Sequence, residues 1–166
     1  MKLQKELIER QEKDSGYLIT AYPKLYKKVI SEMIKPFVGK KFSKVMSPEM
    51  RGVLFGPAIA YKMNLPFAVI AKGGRIPSEF VIGKDFMDYT KKKKRLEVAK
   101  ITINKGDKVL LVDDTLESGA SARTIIKLIE KLGGKVTGIS IVYNKLNKKN
   151  EEFFKKYNLH YLVKLK

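Results

Sequence analysis

Cysteine is absent from this 166-residue chain, and histidine occurs once, at His160. Without cysteine there is no disulfide, no thiolate zinc site and no cysteine nucleophile, which fits a reducing compartment and an expected cytoplasmic location. A single histidine takes His-rich metal centres and serine–histidine triads out of consideration. Long apolar runs are also missing. No stretch approaches the roughly 20 apolar residues of a membrane-spanning helix. The N-terminal MKLQKELIERQEKDSG is a polar, helical segment without the apolar centre of a signal peptide. Repeats and low-complexity linkers are lacking too, so the expectation is one domain over residues 1–166, about one domain's worth of chain.

What the chain has in excess is positive charge: 35 Lys and Arg against 17 Asp and Glu, a formal net charge of +18. This reads either as a solvated, lysine-rich surface or as a field for an anionic partner. That partner would be a phosphorylated small molecule or a nucleic acid, and charge alone does not separate them.

Hydrophobic spacing predicts helices over 1–12 and 22–35, a short strand from Lys44 to Ser47, and a helix over Gly52–Met63 carried by Leu54, Ala58, Ile59 and Met63. Phe67–Ala71 reads as a buried strand. Residues 73–95 read as loop with some edge strand, and Leu96, Val98 and Ile101 as a strand returning from it. Val109–Val112 is an apolar run of the central parallel type. Ser121–Leu132 is a helix stopped by Gly133 and Gly134, followed by strand Val136–Val142, helix Lys148–Tyr157 and strand His160–Val163. Strands alternating with helices predict an α/β fold, a mostly parallel sheet covered on both faces. Ligands of such sheets lie beyond the carboxyl ends of the strands, here residues 48–51, 72–77, 113–121 and 143–145.

One segment, VLLVDDTLESGASARTIIKLIEKLGG, combines several anion-binding features. An apolar strand delivers Asp113 and Asp114 to its carboxyl end. Ser118, Gly119, Ala120 and Ser121 then enter a helix, so backbone amides, two hydroxyls and the positive helix end converge on one point. That cup suits a phosphate monoester, and the paired carboxylates suit ribose hydroxyls or a hydrated magnesium. A solvated acidic pair beside a capping serine is the plain alternative for either half; order and spacing together favour the cup.

The segment resembles the phosphoribosyl pyrophosphate (PRPP) motif of type I phosphoribosyltransferases, with serine where that motif has two threonines. The resemblance implies that Asp113 and Asp114 hold the ribose 2- and 3-hydroxyls, and that Glu117, Ser118, Gly119, Ala120 and Ser121 wrap the 5-phosphate. It also implies Mg²⁺ as cofactor, held indirectly by Asp113 and Asp114 through PRPP and water. MRGVLFGPAIAYKMNLPFAVIAKGGRIP is similar to the S-R-G-F-L-F-G-P stretch and K-x-G-K-L-P turn of adenine phosphoribosyltransferases. By that likeness pyrophosphate falls to Glu49, Met50, Arg51, Lys72 and Arg75, with a cis peptide between Glu49 and Met50. A helix start is a poor place for an arginine unless an anion binds beside it.

KDFMDYTKKKKR, residues 84–95, matches the family's mobile catalytic loop in place, with Asp88 and Tyr89 as its acidic residue and tyrosine. Its lysines are either a solvated loop or a lid over pyrophosphate. GISIVYNK resembles the xanthine phosphoribosyltransferases, which would bring Lys145, and with it Tyr143 or Asn144, to the base. Glu117 stands where adenine enzymes usually carry alanine and hypoxanthine–guanine enzymes an aspartate near purine N7. It is either a general base or a loop carboxylate facing solvent.

The resemblance covers about residues 44–145 and implies the type I fold, with residues 1–40 as a small variable hood and 41–166 as core. It further implies a homodimer that uses PRPP and a purine, adenine favoured, with xanthine, hypoxanthine or guanine as the other acceptors, in purine salvage. Two other readings share the fold: a PRPP-sensing regulator that binds nucleic acid through its positive surface, and an orphan domain with a decayed site. Asp88 joins Glu117, Asp113 and Asp114 as the candidate catalytic carboxylates.

Overall fold

A computed structural model describes residues 2–14, 17–87 and 90–165. Seven strands form one sheet in the order β3-β4-β2-β1-β5-β6-β7. Their ranges are β1 Lys44–Pro48, β2 Phe67–Lys72, β3 Val81–Met87, β4 Lys93–Ala99, β5 Lys108–Leu116, β6 Lys135–Asn144 and β7 Leu159–Lys164. The five strands β2, β1, β5, β6 and β7 pair in parallel. The hairpin β3–β4 joins antiparallel to β2. The helices are α1 Lys2–Asp14, α2 Pro23–Ile34, α3 Gly56–Met63, α4 Ala120–Lys131 and α5 Lys148–Lys155.

Alternation along the strands divides the core. On β5, Val109 and Leu111 join one apolar cluster while Leu110 and Val112 join the other, because successive side chains of a strand point to opposite faces. The first cluster is roofed by Ala122, Ile125, Ile126 and Ile129 of α4 and Phe154 of α5. The second is roofed by Leu7 of α1, Leu25, Val29 and Met33 of α2, and Ile59 of α3. Central strands buried from both sides require the near-continuous apolar runs seen in the sequence.

Three sequence expectations are corrected. Residues 73–95, expected as loop with some edge strand, hold most of a full edge hairpin, since β3 and β4 pair over seven positions from Val81↔Ala99 to Met87↔Lys93. Its charged residues belong to a strand pair at the sheet's edge, where lysines discourage pairing with another chain. Ile101 is not part of the returning strand; it lies in a 3₁₀ turn and is 87% exposed. The helix expected over Gly52–Met63 is split into a 3₁₀ turn at Gly52–Leu54 and α3, which begins with Pro57 in its first turn.

No helix among the described residues is long and apolar enough to cross a membrane.

Candidate functional site

The carboxyl ends of β1, β2 and β5 open into a cavity of about 320 Å³. Its wall includes Glu49, Met50 and Arg51 after β1, Lys72 at the end of β2, Asp113 and Asp114 on β5, and Glu117 to Ser121 leading into α4. Three chain segments far apart in sequence therefore meet where parallel strands end.

The carboxylate pair is formed by local geometry. Asp114 is 7% exposed and its backbone amide donates to Asp113 Oδ1 at 2.8 Å. Asp114 Oδ2 accepts from Thr115 Oγ1 at 3.0 Å and pairs with Arg51 Nε at 3.0 Å. Arg51 thus faces the cavity from the β1 side. Burial, then the neighbouring charge of Asp114, pushes the Asp113 carboxyl well above the usual carboxylate range, with Arg51 acting weakly the other way. Two carboxylates this close, partly shielded from water, resist ionising together.

The loop from Ser118 enters α4 through Gly119, which has φ +78°. A Cβ there would come within 2.5 Å of Phe154 Cε2. Glycine is therefore required twice, by the left-handed backbone and by the ring beneath it. Among the described residues, the Ala120 amide reaches only Ser118 Oγ, at 3.4 Å, and no protein acceptor is found for the amides of Gly119 and Ser121. Free amides at the start of a twelve-residue helix can receive an anion.

Also lining the cavity, the Glu49–Met50 peptide is cis, as the family likeness implied. Glu49 Oε2 accepts from the Lys72 amide at 3.1 Å, joining the segment after β1 to the end of β2. Tyr26 of α2 donates its hydroxyl to the Leu54 carbonyl, so a helix of the N-terminal region braces the turn that follows Arg51. Burial raises the Tyr26 phenol above its ordinary value.

Not every anticipated residue reaches the cavity. Arg75 is exposed and is not part of its wall. Tyr143, anticipated near the base, is 1% exposed and donates its hydroxyl to the Leu7 carbonyl, so it is a core residue under α1. Asn144 is fully buried and accepts from the Leu146 amide at 2.9 Å, which makes it a strand-end bracket instead of a base contact. Both follow from β6 running two residues beyond Val142: α1 covers Tyr143 on one face, and Asn144 points to the other. Lys145 is not part of the wall either, but its Nζ pairs at 2.9 Å with Oε1 of Glu117, which is. Glu117 therefore neither faces solvent alone nor stands as a lone base. Asp88 and Tyr89 lie outside the described residues.

Phe86, Lys94, Arg95 and Leu96 also line the cavity; the first three fall in the 84–95 stretch matched to the catalytic loop, though none was named singly as a site residue. Their signal was present as alternation: Phe86 stands opposite Lys94 and Lys84 opposite Leu96 on one side of the hairpin, a period-2 pattern hidden in a lysine-rich run.

Comparison with known proteins agrees with this geometry. The phosphoribosyl transferase domain family matches residues 19–163. An adenine phosphoribosyltransferase of Clostridium botulinum is 35% identical over 134 residues, covering 81% of this chain and 77% of that protein. The crystal structure of adenine phosphoribosyltransferase from Thermoanaerobacter pseudethanolicus superposes with a TM-score of 0.80 at 28% identity, over 89% of this chain and 84% of that one. The Giardia lamblia enzyme, solved with 9-deazaadenine, gives 0.79 at 27% identity over 89% and 83% of the two chains.

Proposed function

Since the chain belongs to the phosphoribosyl transferase domain family, we propose that it transfers the 5-phosphoribosyl group of PRPP to adenine, forming AMP and pyrophosphate in purine salvage. One observation carries this reading. Arg51, Asp113, Asp114 and the Ser118–Ser121 loop share one cavity wall, which is what a sugar phosphate bearing a pyrophosphate needs. The relatives and solved structures named above support adenine as the acceptor.

In this reading the amides of 118–121 and the helix end receive the 5-phosphate, and Asp113 and Asp114 accept the ribose hydroxyls. Arg51 and Lys72 face the departing pyrophosphate, where fixed cations stabilise charge as it develops. Purine N9 bonds to C1 of the ribose while the C1–O bond breaks, and the electron pair leaves on pyrophosphate. Holding both substrates in one walled cavity makes the encounter effectively intramolecular.

The Arg51–Asp114 pair gives each group a partner until substrate arrives. Glu117, held by Lys145, is the carboxylate placed to take the purine's ring proton. Among the described residues no three carboxylates or histidines cluster as a metal site. Asp113 and Asp114 would hold Mg²⁺ indirectly, through PRPP and water, in keeping with an ion that retains several waters and binds substrate phosphates. When bound it would neutralise pyrophosphate charge. Cytoplasmic location and a homodimer complete the reading.

The Glu117–Lys145 pair is the feature that favours a 6-oxopurine instead, since it sets an ammonium behind a carboxylate of the wall. Steady-state assays with PRPP, Mg²⁺ and adenine, hypoxanthine, guanine, xanthine, uracil or orotate decide the acceptor. Adenine should exceed every other base in kcat/KM by at least tenfold. Preference for an oxopurine would overturn the adenine assignment, and no turnover with any base would overturn the enzyme.

A further inference from the structure

Glu97 lies in the middle of β4, 5% exposed, and is not part of the cavity wall. A buried carboxylate is costly unless charge and hydrogen bonds compensate it. Here both are supplied. One oxygen accepts from the Gly74 amide at 3.0 Å, and the other accepts from Arg95 Nε at 3.1 Å. The Arg95 carbonyl accepts from the Gly73 amide at 3.0 Å.

Arg95 extends the connection outward, pairing through Nη1 with Asp85 at 3.2 Å. Its guanidinium lies against Gly83, the residue opposite Glu97 in the hairpin register. A Cβ at Gly83 would fall 2.4 Å from Nη2, so a side chain there would push the guanidinium aside. Arg95 is therefore held mainly by its carboxylate partners.

The segment gripped in this way is the turn beginning at Lys72. Its first amide is held by Glu49, whose own peptide with Met50 lines the cavity. Its third, Gly74, is held by Glu97. β2 also pairs with β4 at this point, through Ala71↔Glu97 and Lys72↔Leu96. Carboxylate–amide bonds are charge-assisted and directional, so two of them fix where the turn presents its cation.

We propose that Glu97 is the positioning residue of the pyrophosphate subsite: it orients the Lys72–Gly74 turn and, through Arg95, locks that turn to the β3–β4 hairpin. This rests on the pyrophosphate site assigned under the proposed function. Glu97 touches no substrate in this scheme and acts through the turn alone. Its loss should therefore weaken ligands that carry pyrophosphate and spare those that do not.

The test titrates pyrophosphate and AMP, each with Mg²⁺, into wild type and Glu97→Gln, with PRPP kinetics alongside. Glutamine keeps the size of the side chain but cannot satisfy Arg95 and the Gly74 amide together as an anion. The expected result is a Kd for pyrophosphate raised at least fivefold, a parallel rise in KM for PRPP, a smaller change in kcat, and a Kd for AMP within twofold of wild type. Equal weakening of both ligands would make Glu97 a general structural residue and overturn the proposal, as would unchanged pyrophosphate binding. If wild type itself binds AMP but no pyrophosphate, the subsite assignment fails, and this inference with it. Should Glu97→Gln not fold, the exposed Asp85→Asn frees Arg95 from its outer partner. A twofold or greater loss of pyrophosphate affinity with AMP unchanged is then expected, and wild-type affinity for both would overturn the lock.

Discussion

At the scale of single residues, the site is a set of charges placed where the fold alone would not favour them. Asp113 is the clearest case, since burial and Asp114 raise its carboxyl well above the ordinary range. The sign of its effect on stability follows from linkage. Below the unfolded value, about 4, the group is protonated in both states and has no effect. As pH rises through the interval up to the raised folded value, the unfolded chain releases its proton while the folded chain retains it, and stability is lost. Asp113→Asn keeps the oxygen that accepts the Asp114 amide and removes this penalty. Thermal melts should show the variant close to wild type near pH 4 and more stable at pH 7. Its kcat/KM for PRPP should fall at least tenfold. A variant no more stable at pH 7 than at pH 4 would contradict the raised carboxyl.

Elements carry the next constraint, because the phosphate loop is shaped by what lies under it. Gly119 sits at the start of α4 with φ +78°, over the ring of Phe154 from α5. Gly119→Ala adds a left-handed residue with a Cβ, about 1–2 kcal/mol, and overpacks the ring, about 1–3 kcal/mol more. Denaturant unfolding should show a loss of roughly 2–5 kcal/mol together with loss of AMP binding. In Gly119→Ala/Phe154→Ala the steric part disappears, so the double variant should lose less stability than the two single losses added together; strict additivity would mean that the ring does not support the loop.

The same scale shows what was legible beforehand. The β5–loop–α4 unit was readable because an apolar run, two aspartates and a glycine-bearing turn are local signals. The facing of Arg51, and the cis peptide at Glu49–Met50, came from family likeness. The β3–β4 hairpin was obscured because its edge position replaces apolar residues with lysines. Tyr143 was misplaced because the cover over its face of β6 comes from α1, more than 125 residues away in sequence. Nothing local in the sequence indicates such a contact.

For the whole molecule, the question is what a net charge of +18 does. The cavity wall does not account for it. Arg51, Lys72, Lys94 and Arg95 are balanced there by Glu49, Asp113, Asp114 and Glu117. The excess therefore lies elsewhere on the surface, acting over distance on a substrate that carries several negative charges. Such a field speeds capture and is screened by salt, with a Debye length of about 10 Å at 0.1 M and about 3 Å at 1 M. Contacts inside a shielded cavity are screened much less. Raising NaCl from about 50 mM to about 500 mM should thus lower kcat/KM for PRPP by roughly three- to tenfold. At saturating PRPP, kcat should change by less than twofold, and KM for the uncharged base should hardly move. Stopped-flow or steady-state kinetics across that series checks this. If kcat fell in step with kcat/KM, salt would be acting on the chemical step and the surface charge would have no part in delivering the substrate.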